Sequence, residues 1–189
     1  LSDLVLVRPG PEHLAGYVQA LERGWSPSNV RSAETAADER AAIAADAAAF
    51  LAALDDPDGA GPPVTLPDGT QRPRIPSLRR WLWDAEGFAG TIGLRWTADG
   101  GPLPPHVLGH IGYSVVPWKR RRGYATRALG AVLAIARERG MPALEITTDP
   151  DNLASQKVIV ANGGVLVERF DQGAAYGHAA GLRYRVTLA

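Results

Sequence analysis

Residues 109 to 140, GHIGYSVVPWKRRRGYATRALGAVLAIARERG, leave this chain few ways to fold. GHIGYSVVP reads as a strand that Pro117 closes. From Tyr124 to Arg139 the residues Leu129, Val132, Leu133 and Ala136 form one helical stripe, and Gly140 stops the helix before Pro142. Between strand and helix stand Trp118, the four consecutive cations Lys119 to Arg122, and Gly123. A helix that begins directly behind a glycine-bearing turn points its unpaired N–H groups and the positive end of its dipole at whatever occupies that turn. The segment is therefore suited to cradle an anion. Gly123 permits conformations and a close approach that a side chain would forbid, Ala125 keeps the first turn small, and the arginines add charge near the bound oxygens. On these residues alone two other readings stay open, a solvated basic turn and a nucleic-acid patch. The second lacks a further basic cluster or interleaved aromatics to extend it.

The flanking sequence supplies alternating elements. LVLVRPG is a short apolar strand, and PEHLAGYVQALERG places Leu14, Val18 and Leu21 on one helical face. From Ser32, read as an N-cap, a second helix carries Ile43, Ala47, Phe50, Leu51 and Leu54 to DDPDG. The stretch from Asp55 to Pro76 holds six prolines and little periodicity, so it reads as a long loop beside a substrate cleft. SLRRWLWDAEG, FAGTIGLRWT and GHIGYSVVP then form an antiparallel meander. ALEITTD is the next strand, Asp151 is placed to cap a helix over NLASQKVIVANGG, and GVLVERF and LRYRVTL supply two final strands. Trp81, Trp83 and Trp96 read as core and cleft walls.

Composition excludes several classes. At 189 residues and 46% hydrophobic the chain suits one domain over residues 1–189. Twenty basic and twenty acidic residues cancel, so no global field draws it to nucleic acid or to an anionic membrane. No cysteine is present and the four histidines show no ligand spacing, which leaves no expected metal site. The N-terminal apolar stretch is too short for a signal peptide and nothing approaches a membrane span, so a cytoplasmic protein is expected. Only Lys119 and Lys157 are lysine, which with the abundant alanine suits a GC-rich bacterial genome.

Taken together, HIGYSVVPWKRRRGYATRAL and the later DPDNLASQKVIVANGG resemble the GNAT superfamily of N-acetyltransferases. Arg120-x-x-Gly123-x-Ala125 and Asn152-x-x-Ser155 match its cofactor-binding pattern in order and spacing, over residues 77 to 189; residues 1 to 76 fit loosely and form the acceptor side. The resemblance implies an α+β fold: a twisted, mainly antiparallel sheet of about seven strands, splayed in the middle, with helices on both faces. It implies acetyl-CoA as co-substrate. The pyrophosphate would lie on the backbone amides of Arg121, Arg122, Gly123, Tyr124, Ala125 and Thr126, with Arg120 at the head of the motif, and the pantetheine would pair with the backbone near Val115 and Val116. Asn152 and Ser155 would stand beside the pantetheine and thiol.

One departure bears on mechanism. Many members of the superfamily have a tyrosine seven residues after the asparagine as general acid, and here that position is Ile159. The match is closer to the branch that acetylates ribosomal-protein N-termini, where a serine at the Ser155 position serves as the acid; a hydroxyl that only hydrogen-bonds the cofactor, with solvent protonating the thiolate, is the other reading. For the general base the strand histidine His110 is the first candidate, on the same face as Gly112 and Ser114, with Glu145 and Asp149 second. The acceptor is a primary amine, of a small molecule or a protein N-terminus. Two rivals remain, a non-catalytic acyl-CoA-binding module and a nucleic-acid-binding protein, and a homodimer is left open.

Overall fold

The computed structural model describes residues 4–28 and 31–188. In chain order the elements are β1 (Val5–Val7), α1 (Leu14–Glu22), α2 (Ser32–Ala45), α3 (Ala47–Ala52), β2 (Val64–Thr65), β3 (Gln71–Arg72), β4 (Ser77–Asp84), β5 (Gly87–Arg95), β6 (Ile111–Val115), α4 (Tyr124–Glu138), β7 (Ala143–Thr148), α5 (Leu153–Ala161), β8 (Val165–Asp171) and β9 (Ala180–Thr187). The main strands form two sheets, β1-β4-β5-β6 and β7-β9-β8, with antiparallel pairing throughout. The expected splay is thus a division between β6 and β7. The two strands touch where the His110 N–H donates to Glu145 O at 2.7 Å.

Helices cover both faces. On one, α4 and α5 bury Leu129, Val132, Leu133 and Ile159 against Leu82, Ile92, Leu94, Leu144 and Ile146, which makes a single core spanning both sheets. On the other, α1 and α3 close an aromatic cluster of Tyr17, Trp25, Phe50, Trp81 and Phe88. The inward face of α1 is centred on Tyr17, Ala20 and Leu21, with Val18 only half-buried. The shift has a cause: Tyr17 stacks on Trp81 with ring centroids 4.3 Å apart, and the larger ring takes the interior position. No helix among the described residues is long and apolar enough to cross a membrane.

Three local expectations are corrected. The second helix breaks at Asp46, which is extended (φ −157°, ψ 95°) and accepts the Ala49 N–H at 2.9 Å, so its carboxylate caps α3 and competes with helix continuation. Ser32 lies inside α2 while Arg31 holds the cap position. The 55–76 segment is built rather than bare: β2 and β3 pair, Leu66 is buried, and Asp56 and Ser77 exchange backbone bonds of 2.9 and 2.8 Å. It leans on the 96–110 connection, where His106 Nε2 lies 3.3 Å from Pro73 O.

Candidate active site

The division between β6 and β7 opens a cavity of about 650 Å³, reaching from Leu108 to the start of α4 and across to α5. Strand alternation decides what faces it. Val116 N–H donates to Ala89 O at 3.0 Å, and Arg95 N–H donates to His110 O at 2.9 Å, so the even-numbered residues of β6 bond with β5. In an antiparallel pair the intervening residues turn their backbone groups the other way. Tyr113 therefore presents N–H and C=O to the gap, and Val115 its N–H, while Val115 O takes the Arg120 side chain at 3.2 Å. Val116 does not: its amide is engaged and its side chain is fully buried in the aromatic cluster, which corrects the expectation that it pairs with a ligand.

At the far end of the cavity the loop reaches α4. Gly123 has φ 74°, the left-handed conformation that disfavours a side chain, and Arg121 shares that region at φ 61°. The first helical bond runs from Arg127 N–H to Gly123 O at 3.1 Å, so the amides of Ala125 and Thr126 precede the ladder and point out of the helix end. Arg120, Arg121, Gly123, Tyr124, Ala125 and Thr126 all line the cavity.

The four cations do not act alike. Lys119 is 3% exposed and its ammonium lies 2.6 Å from the carboxylate of Asp84, itself 4% exposed. Tyr124 donates its hydroxyl to the second oxygen of Asp84 at 2.7 Å, and the Glu86 amide donates to the first at 2.8 Å. Burial raises the affinity of Asp84 for a proton, but the bonds from Lys119, Tyr124 and Glu86 outweigh it and hold the carboxyl below its ordinary value. Asp84 thus anchors the loop and the first residue of α4 to the β4–β5 turn, a role no local sequence signal announced. The Arg122 side chain turns away from the cavity toward Glu86 at 3.4 Å, which corrects the expectation that its charge lies near the bound oxygens. Arg120 donates to Val115 O at 3.2 Å, and Arg121 remains at the rim.

From α5 come Asn152 and Ser155. The Asn152 side chain accepts the Ser155 N–H at 3.0 Å, so Asn152, and not Asp151, caps the helix while also lining the cavity. Asn162 closes the other end of α5, donating to Thr126 O at 3.2 Å, and so fastens α5 to the first turn of α4. Ser155 Oγ lies 2.8 Å from the hydroxyl of Tyr113, which projects from β6. Burial pushes the Tyr113 phenol above its ordinary value, with the Ser155 bond acting in the other direction. Tyr113 was not among the residues expected here, although alternation with Ile111 and Val115 marks its side, and the absence of a tyrosine at Ile159 leaves room for a phenol from another element. Ile159 itself is fully buried in the core.

His110 is placed differently from the expectation. Its Nδ1 accepts the Glu145 N–H at 2.9 Å, so in the neutral ring Nε2 carries the proton and no lone pair is left to receive another. Burial lowers its pKa, with Arg95 and Arg183 acting in the same direction and outweighing the opposing pull of the Glu145 backbone and carboxylate. The ring borders a second cavity, beyond the closed end of the gap, and Ser155 is not part of that cavity. His110 clips the two sheets together and borders the second cavity, away from Ser155. Glu145 pairs with Arg183 at 2.9 Å, and Asp149 accepts from Gln172 at 3.1 Å. Among the described residues no cluster of His, Asp and Glu could hold a metal ion.

A gap edged by free strand backbone and ended by a helix N-terminus fits an extended thioester carrier with a diphosphate. Comparisons with known proteins agree. The family described as acetyltransferase (GNAT) domain matches residues 4–165. Among solved structures, the microcin C7 self-immunity acetyltransferase MccE, in complex with acetyl-CoA and AMP, is 12% identical with a TM-score of 0.63, covering 98% of this chain and 92% of its own. The ribosomal L7/L12 alpha-N-protein acetyltransferase RimL, in complex with coenzyme A, is 14% identical with a TM-score of 0.64, covering 97% and 93%. A putative ribosomal-protein-serine acetyltransferase from Vibrio cholerae is 16% identical with a TM-score of 0.59, covering 97% and 93%. No curated protein sequence matches. The chain belongs to the GNAT family of acetyltransferases and is an acetyl-CoA-dependent N-acetyltransferase.

Proposed function

We propose that the enzyme transfers the acetyl group directly to a primary amine with both substrates bound, and that Tyr113 and Ser155 together return a proton to the departing sulfur. The observation that carries this reading is the 2.8 Å contact between their hydroxyls, made across the gap from two different elements. Acetyl-CoA supplies the thioester. The amides of Ala125 and Thr126 take the diphosphate, and the outward backbone of Tyr113 and Val115 holds the pantetheine and polarises the carbonyl. As the amine nitrogen bonds to the acetyl carbon and the C–S bond breaks, sulfur takes the Ser155 hydroxyl proton and Ser155 is refilled from Tyr113. Tyr113 recovers the proton that the acceptor nitrogen releases through water. A phenol whose ordinary pKa is about 10, raised by burial, stays protonated near neutral pH and is available as this donor. Residues 1–76 form the acceptor side.

The test is acetyl-CoA-dependent thiol release over a panel of amines. Tyr113→Phe and Ser155→Ala are each expected to lower kcat by about a hundredfold or more, and the double variant little further, because the pair works as one relay. Acetyl-CoA itself should stabilise the fold by about 3 kcal/mol at a hundredfold excess over its Kd. Wild-type turnover in Tyr113→Phe removes the relay; binding without thiol release from any amine would favour an acyl-CoA-binding module.

A further inference from the structure

On the face of the first sheet that carries α1 and α3, two glycines stand side by side: Gly93 of β5 pairs with Gly112 of β6. A Cβ on Gly93 would meet only backbone, so the sheet is bare there. The hollow is bordered by Arg79, opposite Gly93 on β4, and by Arg95, His110 and Ser114 on the same face. These neighbours are satisfied with one exception. Arg79 is paired with Glu39 at 3.0 Å, and Glu39 also takes the Tyr17 hydroxyl. Ser114 donates to Ser26 O at 3.2 Å and accepts from Trp25 at 2.9 Å, and His110 is clipped to Glu145.

The exception is Arg95. Its guanidinium lies over the hollow, with Nη2 2.9 Å from where a Cβ on Gly112 would stand. The residue is half-buried, and no acidic side chain among the described residues pairs with it. Its titratable neighbours are another cation, Arg79, the ring of His110, and the phenol of Tyr176, which burial keeps protonated and which donates to His106 O at 3.1 Å. Burial accordingly lowers its pKa. A guanidinium drawn out of water without a counter-charge is costly, and is matched best by a carboxylate or phosphate taking two parallel N–H bonds. Gly112 also lines the gap, so the hollow opens onto the place where the thioester lies.

We infer that the Gly93–Gly112 hollow receives the acceptor amine and that Arg95 selects acceptors bearing an anionic group, a carboxylate or a phosphate. This rests on the acetyl-transfer reading above and names the substrate class of that site. Arg95 is a specificity residue. An acceptor lying on the bare backbone keeps its amine toward Gly112 and the gap while its anionic group neutralises the guanidinium.

Two measurements test this. In the first, thiol release is compared within matched amine pairs, aspartyl against asparaginyl peptide amides and phosphoethanolamine against ethanolamine. The anionic member of at least one pair should be preferred in kcat/KM by about tenfold or more, and the ratio should fall toward unity in Arg95→Gln and only in part in Arg95→Lys. In the second, which needs no turnover, succinate and inorganic phosphate are titrated while the arginine side-chain NMR signals are followed. Saturable perturbation of the Arg95 signal by either anion supports the site and says which anion it takes. Because an unpaired cation is removed, Arg95→Gln should melt no lower than wild type, which keeps the variant interpretable. An Arg95 signal unmoved by both anions, or an anionic preference that survives in Arg95→Gln, overturns the inference. Failure of acetyl-CoA to bind would instead overturn the acetyl-transfer reading, and the titration on the free protein would still decide the role of Arg95.

Discussion

The ring of His110 is held by the Glu145 amide and shielded from water, and both facts govern how it titrates. Its folded pKa is lowered, chiefly by burial, so the unfolded chain binds its proton more readily than the folded one. The stabilising contribution of the neutral ring is present above the ordinary value of about 6.5 and is lost as pH falls from there through the lower folded value. Denaturant melts from pH 8 to pH 5 should therefore show wild type losing stability on the acid side and His110→Gln losing less over the same window. Turnover, in contrast, should show no limb that disappears in the variant, since His110 takes no proton from the substrate. A limb abolished by His110→Gln would restore it as the base. That a histidine stood at this strand position was readable from the residues. Its partner lies 35 residues away on a strand from the other sheet, and no local pattern carries that distance.

At the scale of elements, the strand-to-helix passage from β6 to α4 behaves as its residues suggest, because strand alternation, a proline and a helical stripe are local signals. The cause of the need for Gly123 is narrower than expected. Among the described residues no atom beyond its chain neighbours lies within 4 Å of a Cβ placed there, so a side chain is disfavoured by the positive φ and not by a clash within the chain. Gly123→Val should weaken acetyl-CoA by more than about tenfold, since a β-branched residue resists φ 74° and would enter the ligand space. Arg121→Ala should cost much less, because an exposed cation at a rim is screened by water and salt. Calorimetry at two salt concentrations separates them, with circular dichroism confirming the fold. Near-wild-type affinity in a folded Gly123→Val beside lost binding in Arg121→Ala would mean that side-chain charge holds the ligand. The four-cation run was the less legible part. Lys119 and Arg122 are drawn off by Asp84 and Glu86 from a different turn, which only the packing of β4 and β5 against the loop brings near.

For the whole molecule, two sheets share one core and part between β6 and β7, which leaves a slot edged by the outward backbone of β6. Saturating acetyl-CoA should slow hydrogen exchange selectively at the gap-facing amides of Tyr113 and Val115 and at Ala125 and Thr126, by up to about a hundredfold at a hundredfold excess over Kd. The Val116 amide, already bonded to Ala89, should change little. Uniform protection over β6, or none, would contradict ligand pairing along that strand edge. By itself the sequence determined the β4-β5-β6 meander, the strand-to-helix passage from β6 to α4 and the family, because each rests on neighbours within a turn or a strand; the break between α2 and α3 and the pairing of β2 with β3 were not legible in it. It also marked Ser155. Only the tertiary structure decided that Val116 is engaged elsewhere, that His110 is a clip, that Tyr113 meets Ser155, and that Arg95 lies over two glycines with no acidic partner among the described residues. Each of those depends on which strands lie side by side, and that is settled by burial of a shared core between residues far apart in the chain.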